Sequence, residues 1–319
     1  MIARAAPSGT SCIQRHVFHA LGTDCEIQVA TPDAKLWQRC REATVAWVDR
    51  FEARFTRFRD DSLVGRINAA AGSGGWIDTD EESERIFDVA ATLARVTDGM
   101  LDATTLPLLR LWNYREQHAE LPDAAEIAKA RSLTGWKLVE REPGRIRLPR
   151  AGMGIDLGGF GKEYAVDAVA AILTSMGAVD FLVDFGHDIV ARGHPPDSPF
   201  WRIGVEDPRK PGTWWCTLAI NDRGVATSGD YIRRFIRNGK RYGHIIDPRT
   251  GRPADTSCLS ATVVASSCLE AGVLSTVAFL SGAMRGLRMI EDTFGAEGCI
   301  VTDGALAQSR GFSAHTIGA

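Results

Sequence analysis

No stretch of the 319 residues approaches the ~18 consecutive apolar positions that a membrane-spanning helix needs, so no integral membrane segment is expected. The start, MIARAAPSGTSCIQRHVFHA, carries an early Arg but no continuous apolar run, which leaves a secretory or lipoprotein signal unsupported. Cysteine pairing is missing too. Cys12, Cys25, Cys40, Cys216, Cys258, Cys268 and Cys299 are scattered and odd in number, with neither C-x-x-C spacing nor a disulfide-dense pattern. This excludes a cysteine zinc or redox motif of that type and points to a reducing, cytoplasmic setting. Charge of one sign is absent as well: 37 Lys and Arg against 40 Asp and Glu leave a net −3, no field for a polyanion, so nucleic acid is not expected as a partner. There is no internal repeat, low-complexity tract or clear linker.

What remains is an ordinary globular composition, 45% hydrophobic and 24% charged. Residues 17–30 alternate as an opening strand, and the following segment repeats apolar residues at helical spacing through Trp37, Val45, Val48, Phe51 and Phe55. RDDSLVGRINAAAGSGGW reads as a loop around a short helix, and EESERIFDVAATLARVTDG as a helix stopped by Asp98-Gly99. ELPDAAEIAKARSLTG is a surface helix with Pro122 near its first turn. From 181 onward short strands follow one another, FLVDFG, IVARG, WRIGVED, WWCTLAI, GVATSG, YGHIID and LSATVVA, before helices at about 268–281 and 284–293. Strands and helices in blocks imply an α+β fold with mixed or antiparallel sheets. Residues 1–16 are expected to form a flexible N-terminal segment and 17–319 a single compact domain.

Two stretches could carry chemistry. In IDLGGFGKEYAVDAV, 155–169, a strand, a Gly-rich turn and a helix starting near Lys162 would set backbone N–H groups and a helix dipole beside a lysine, which suits a phosphate. It is not a Walker A loop: Asp156 stands where Gly is required, and Glu163 follows Lys162 instead of Ser or Thr. Close strand-to-helix packing explains the glycines equally well. The second stretch, GVATSGDYIRRFIRNGKRYGHIIDPRTGRP at 224–253, has the form of a hairpin with its tip at Asn238-Gly239. That would bring Ser228, Asp230, His244 and Asp247 to one end, where a His flanked by carboxylates could act as a base. The alternative is that Asp247 and Thr250 only organise the Asp-Pro-Arg-Thr-Gly turn.

HALGTDCEI, FTRFRDDSLVGRIN, TDGMLDATTLPLLRLW, IDLGGFGKEYAVDAV, VDFGHDIVARG, WRIGVEDP, ATSGDYIRRF, GKRYGHIIDPRTGRP and SATVVASSCLEAGVLSTVAFLSG stand in the order and spacing of the ApbE family, which the chain resembles over roughly 18–283. The family comprises Mg2+-dependent FAD:protein FMN transferases. The resemblance implies one α+β domain that holds FAD in a cleft, cuts its pyrophosphate, and moves FMN to a Thr or Ser hydroxyl of a partner flavoprotein, releasing AMP. Its FAD contacts fall on Leu21, Phe58, Met100, Leu101, Asp102, Asp156, Lys162 and Ile246. Its metal contacts fall on Gly159, position 272, Ser275 and Thr276. His244 matches the His that opens the family's H-x-I-D-P block and is the expected base, with Asp230 or Asp247 orienting it. Many family members are periplasmic or membrane-anchored, the alternative to a cytoplasmic location.

The chain departs from the family at Gly272, where the resemblance implies an Asp that is a principal metal ligand. Positions 272, 275 and 276 share one helix face, which here offers only two hydroxyls, while Mg2+ usually takes at least one carboxylate. Glu270 lies on nearly the opposite side. Aspartate restored at 272 is expected to face the Gly159 loop and rebuild the site; Asp247 is the other candidate carboxylate. Leu21 stands for the usual Met, and Asp184 and His187 for Asn and Gly, with His187 a possible replacement polar contact beside Asp188. Besides transfer, two readings stand: a flavin-nucleotide-binding homologue without activity, and hydrolysis of FAD to FMN and AMP.

Overall fold

The structure, a computed structural model, describes residues 12–112, 121–231 and 233–317. Among them eight strands form one antiparallel sheet in the order Ile13–Ala20, Thr23–Ala30, Phe181–Phe185, Asp188–Arg192, Arg223–Gly229, Cys258–Ala265, Glu297–Thr302 and Leu306–Gln308. Eight α-helices accompany it: α1 (Ala34–Phe55), α2 (Leu63–Ala69), α3 (Glu81–Val96), α4 (Leu106–Leu111), α5 (Ala124–Ser132), α6 (Gly161–Ser175), α7 (Cys268–Ser281) and α8 (Ala283–Glu291).

Strand alternation splits the sheet's side chains between two cores. Phe181, Val183 and Phe185 pack with Val48, Phe51, Ala165, Val166 and Val169 of α1 and α6. Leu182, Ile189, Ala191 and Val225 face the other way, onto Trp201, Ile203, Leu218 and Ile220 of a small three-stranded sheet. Covered on both faces, the Cys258–Ala265 strand is buried at every residue. The result is the α+β architecture with antiparallel sheets that the block pattern implies. None of the helices among the described residues is long and apolar enough to cross a membrane.

Local chemistry sets the helix ends. Asp33 caps α1 by accepting from the Lys35 and Leu36 N–H groups, and Asp80 with Ser83 closes a capping box on α3. Asp98 and Gly99, at φ 50° and 73°, stop α3 as expected. On α1 the buried line runs through Cys40, Thr44, Val48, Phe51 and Phe55, leaving Val45 half-buried.

Three expectations are corrected. The opening strand of 17–30 is two strands, because Leu21 and Gly22 turn at φ 55° and 70° inside an alternation that continues unbroken on both sides. The first strand starts at Ile13, not at 17; residues 1–11 lie outside the described residues. No strand precedes α6: residues 153–157 are irregular, anchored where the Asp156 N–H donates to Ala103 O at 2.7 Å. The long hairpin of 224–253 is also divided. Arg223–Gly229 joins the main sheet, Arg234–Arg237 and Lys240–Gly243 form a separate hairpin turning at Asn238-Gly239, and Ile246–Asp247 pairs with Arg252–Pro253.

Candidate active site

Three hydroxyls meet where α7 packs across the Arg223–Gly229 strand. Ser228 Oγ lies 2.9 Å from Ser275 Oγ and 2.8 Å from Thr276 Oγ1, and Ser275 Oγ donates to Gly272 O at 3.0 Å. Ser275 and Thr276 are two of the positions expected to hold a metal. Ser228, grouped with His244 in the sequence, joins them instead, since its side chain at the strand's end faces α7.

Gly272 stands one turn before Thr276 on the same face. The space above it is filled: a Cβ at 272 would fall 2.6 Å from Glu163 Cγ and 3.0 Å from its Oε1. An aspartate there cannot enter unhindered, as the sequence suggested; it must displace Glu163. Glu163 Oε2 is cut off from solvent and has no hydrogen-bond partner. Burial pushes this carboxyl up to about 8, the Asp188 charge adding to burial and the Lys162 charge opposing it.

The neighbouring Lys162 has its ammonium engaged by protein oxygens. It donates to Phe185 O at 2.9 Å and Gly186 O at 3.4 Å and pairs with Asp188. Burial pulls this ammonium down, but the charges of Asp188 and Glu163 outweigh it and hold the group above its ordinary value. In the same turn the exposed His187, at φ 71°, donates its N–H to Asp184 Oδ1 at 2.7 Å. The polar contact to Lys162 is thus made by Asp188.

The expected nucleotide contacts assemble in part around the 156–162 loop. Asp156 accepts the Gly158 N–H at 2.6 Å and pairs with Arg57, whose guanidinium lies 4.2 Å from the Phe58 ring centroid. Phe58 is 71% exposed, an aromatic face open to a partner. Arg57 is the link that sequence reading missed, although it adjoins Phe58 in the quoted block. Leu101 faces the loop, its Cδ2 3.5 Å from where a Cβ on Gly159 would lie. Asp102 is occupied by the fold, accepting the Thr104 N–H at 2.8 Å and the Trp136 N–H at 2.7 Å. Met100 is buried in the core between sheet and helices. Leu21 packs half-buried against that same core from its turn. Ile246 is buried in a separate cluster with Leu108, Trp112, Ile127 and Phe235.

His244 follows directly on Gly243, its N–H donating to Arg233 O at 3.0 Å. Burial pushes its ring down to about 4, with the Arg233 charge adding to the effect. Asp230 is 2% exposed and packs on Gly243, where a Cβ would sit 2.4 Å from its own Cβ. Its Oδ2 lies 3.1 Å from Arg241 Nε, and burial pushes the carboxyl up against the pull of Arg241 and Arg234. Asp247 organises its turn: the carboxylate accepts the Arg249 N–H at 2.9 Å and the Arg249 guanidinium at 2.8 Å, while Gly251 N–H donates to Asp247 O at 2.8 Å.

Among the described residues no group of three or more His, Cys, Asp or Glu side chains could hold a metal ion. A cation here would rest on hydroxyl and carbonyl oxygens besides a carboxylate. A depression of about 400 Å3 lined by Arg54, Asp61, Ser62, Arg66 and Asp80 contains none of the expected site residues.

Comparison with known proteins adds a family and a fold. The ApbE family model matches residues 21–300. An FAD:protein FMN transferase of Klebsiella pneumoniae is 28% identical over 310 residues, covering 94% of this chain and 87% of its own. One of Vibrio cholerae is 31% identical over 241 residues, covering 75% and 72%. The crystal structure of the ApbE protein of Thermotoga maritima superposes with a TM-score of 0.86 at 31% identity, over 96% of this chain and all of that one.

Proposed function

The chain belongs to the ApbE family, and from that premise we propose that it is an FAD:protein FMN transferase acting on a Thr or Ser hydroxyl of a partner flavoprotein. The observation that carries the proposal is the convergence of the Ser228, Ser275 and Thr276 hydroxyls on the face of α7 that bears Gly272, against which Glu163 of α6 packs with its Oε2 lacking a hydrogen-bond partner. Hydroxyls next to an unsatisfied carboxylate oxygen are donors suited to a hard cation. Ser275, Thr276 and the Gly159 carbonyl are the groups that would hold Mg2+. When bound, the ion would neutralise the oxygens of the FAD diphosphate.

The chain's own residues supply the rest. Phe58, backed by the Arg57 guanidinium, offers a face for a flat ring system. Asp156 fixes the loop before α6 through Gly158 and Arg57, and the helix starts without a side-chain cap, its Gly161 N–H donating to Leu157 O at 2.6 Å. His244 takes the proton as the acceptor oxygen bonds to the FMN phosphorus; the bond from that phosphorus to the bridging oxygen breaks, and AMP departs with the electron pair. Asp230, paired with Arg241 and packed on Gly243, would position the His244 segment from the residue next to it, while Asp247 is engaged in its own turn.

Purified protein incubated with FAD, Mg2+ and a flavoprotein domain carrying an acceptor Thr or Ser should give a domain heavier by one FMN and an equal amount of AMP. Free FMN with an unmodified domain would replace the proposal with hydrolysis. Intact FAD would leave a binding protein without transfer.

A further inference from the structure

We propose that Glu163 supplies the carboxylate ligand of the divalent cation, from α6, in place of a side chain at position 272 of α7. The inference rests on the transferase reading for the identity of the bound nucleotide, but not for its geometry.

Three observations converge. The Cγ and Oε1 of Glu163 occupy the volume that a side chain at 272 would enter, so the carboxylate reaches across the helix pair to the turn that carries Thr276. Glu163 Oε2 is shielded from solvent and makes no hydrogen bond, although an oxygen in that position normally finds a partner. Glu163 and Lys162 feel each other's charge, but the hydrogen bonds of the Lys162 ammonium go to Phe185 O, Gly186 O and the Asp188 carboxylate. On the same face of α7 stand the Ser275 and Thr276 hydroxyls, hydrogen-bonded with Ser228 and, through Ser275, with the carbonyl of Gly272, the residue against which Glu163 packs. A carboxylate and hydroxyls make an all-oxygen set of the kind Mg2+ selects. Gly272 follows from the same geometry, since only a residue without Cβ leaves room for Glu163.

The test uses the full chain and the metal alone. Titration calorimetry with MgCl2, and thermal midpoints with and without it, should show saturable binding and a raised midpoint for the parent. Glu163→Gln keeps the shape of the side chain and should weaken Mg2+ at least ~10-fold, the loss seen even for groups one shell removed from a metal. Gly272→Asp alone should lower the midpoint through the clash with Glu163. The paired change Glu163→Gly with Gly272→Asp should regain the Mg2+-dependent rise, because the carboxylate returns to the same place from the other helix. A Glu163→Gln protein that binds Mg2+ as the parent does would overturn the inference, as would a parent indifferent to Mg2+ or a folded double variant whose midpoint ignores it. Failure of the functional reading looks different: a parent that loses Mg2+ binding on Glu163→Gln but never modifies an acceptor keeps this site and sinks the transferase.

Discussion

His244 shows how far one residue can be read from each side. The sequence marks it by its block, and the structure adds that burial holds the ring down to about 4. It therefore stays unprotonated across the neutral range, the form a base must start from, although burial lowers its proton affinity. His244→Ala should slow FMN transfer by ~10²–10⁴-fold with FAD affinity kept, as removal of a positioned base does; equal turnover in a single-turnover assay would exclude the role. A stability effect accompanies this. Between about 4 and the ordinary 6.5, the unfolded chain binds a proton at this ring that the folded chain rejects, so stability is lost as pH falls through that window. At 1.36 kcal/mol per pKa unit the loss is about 3 kcal/mol. His244→Gln should flatten that part of the urea-unfolding profile, and an unchanged slope would mean the ring is not shielded. Other residues were not legible singly. Glu163 was noted only as the wrong residue for a Walker loop, because its relation to Gly272 is a contact between two helices far apart in sequence. Asp102 carried a family position, yet nothing local announces that its carboxylate is taken by the Thr104 and Trp136 N–H groups.

At the scale of elements, legibility followed local chemistry. Helix α1 was readable from its apolar spacing and α3 from its Asp98-Gly99 stop, while the Asp33, Asp80 and Ser267 caps that start α1, α3 and α7 show in the structure. The turn at Leu21-Gly22 was not readable, because strand alternation continues through it, and the ladder partners of 224–253 depend on long-range pairing that hairpin signals do not encode. Helix α7 also depends on a cap from outside itself. Asp167 of α6 accepts the Cys268 and Leu269 N–H groups at 2.9 and 2.8 Å, beside the Ser267 cap on Glu270 N–H. This ties α7 to α6, and with it Ser275 and Thr276 to the helix that bears Glu163. Asp167→Ala leaves two N–H groups of the first turn without their acceptor and should cost about 1–3 kcal/mol. Urea unfolding would measure the loss, and hydrogen exchange should find it concentrated at the start of α7. A variant as stable as the parent would show that Ser267 alone secures the helix.

For the whole molecule, the block order of strands and helices was enough to imply α+β, since long antiparallel runs cannot make a doubly wound sheet. It did not reveal that a second, three-stranded sheet covers the face opposite the helices, because Trp201, Ile203 and Leu218 alternate like any half-buried strand residue. That cover buries the central strands on both sides, while the Leu21 turn, Phe58, the 100–102 segment, the 156–162 loop and Ile246 come from separate parts of the chain. Positions so dispersed can contact both ends of a dinucleotide only when the whole domain is folded, so binding should couple to global stability. A ligand that binds only the native state stabilises it by about 2.7 kcal/mol at 100 times its dissociation constant. FAD should therefore raise the thermal midpoint more than FMN or AMP supplied alone at the same concentration, and Asp156→Ala should diminish the rise by freeing Gly158 and Arg57. An FMN effect equal to that of FAD would mean that the adenylate half is not held, and a diphosphate-cleaving site would then have no way to keep both sides of the scissile bond in place.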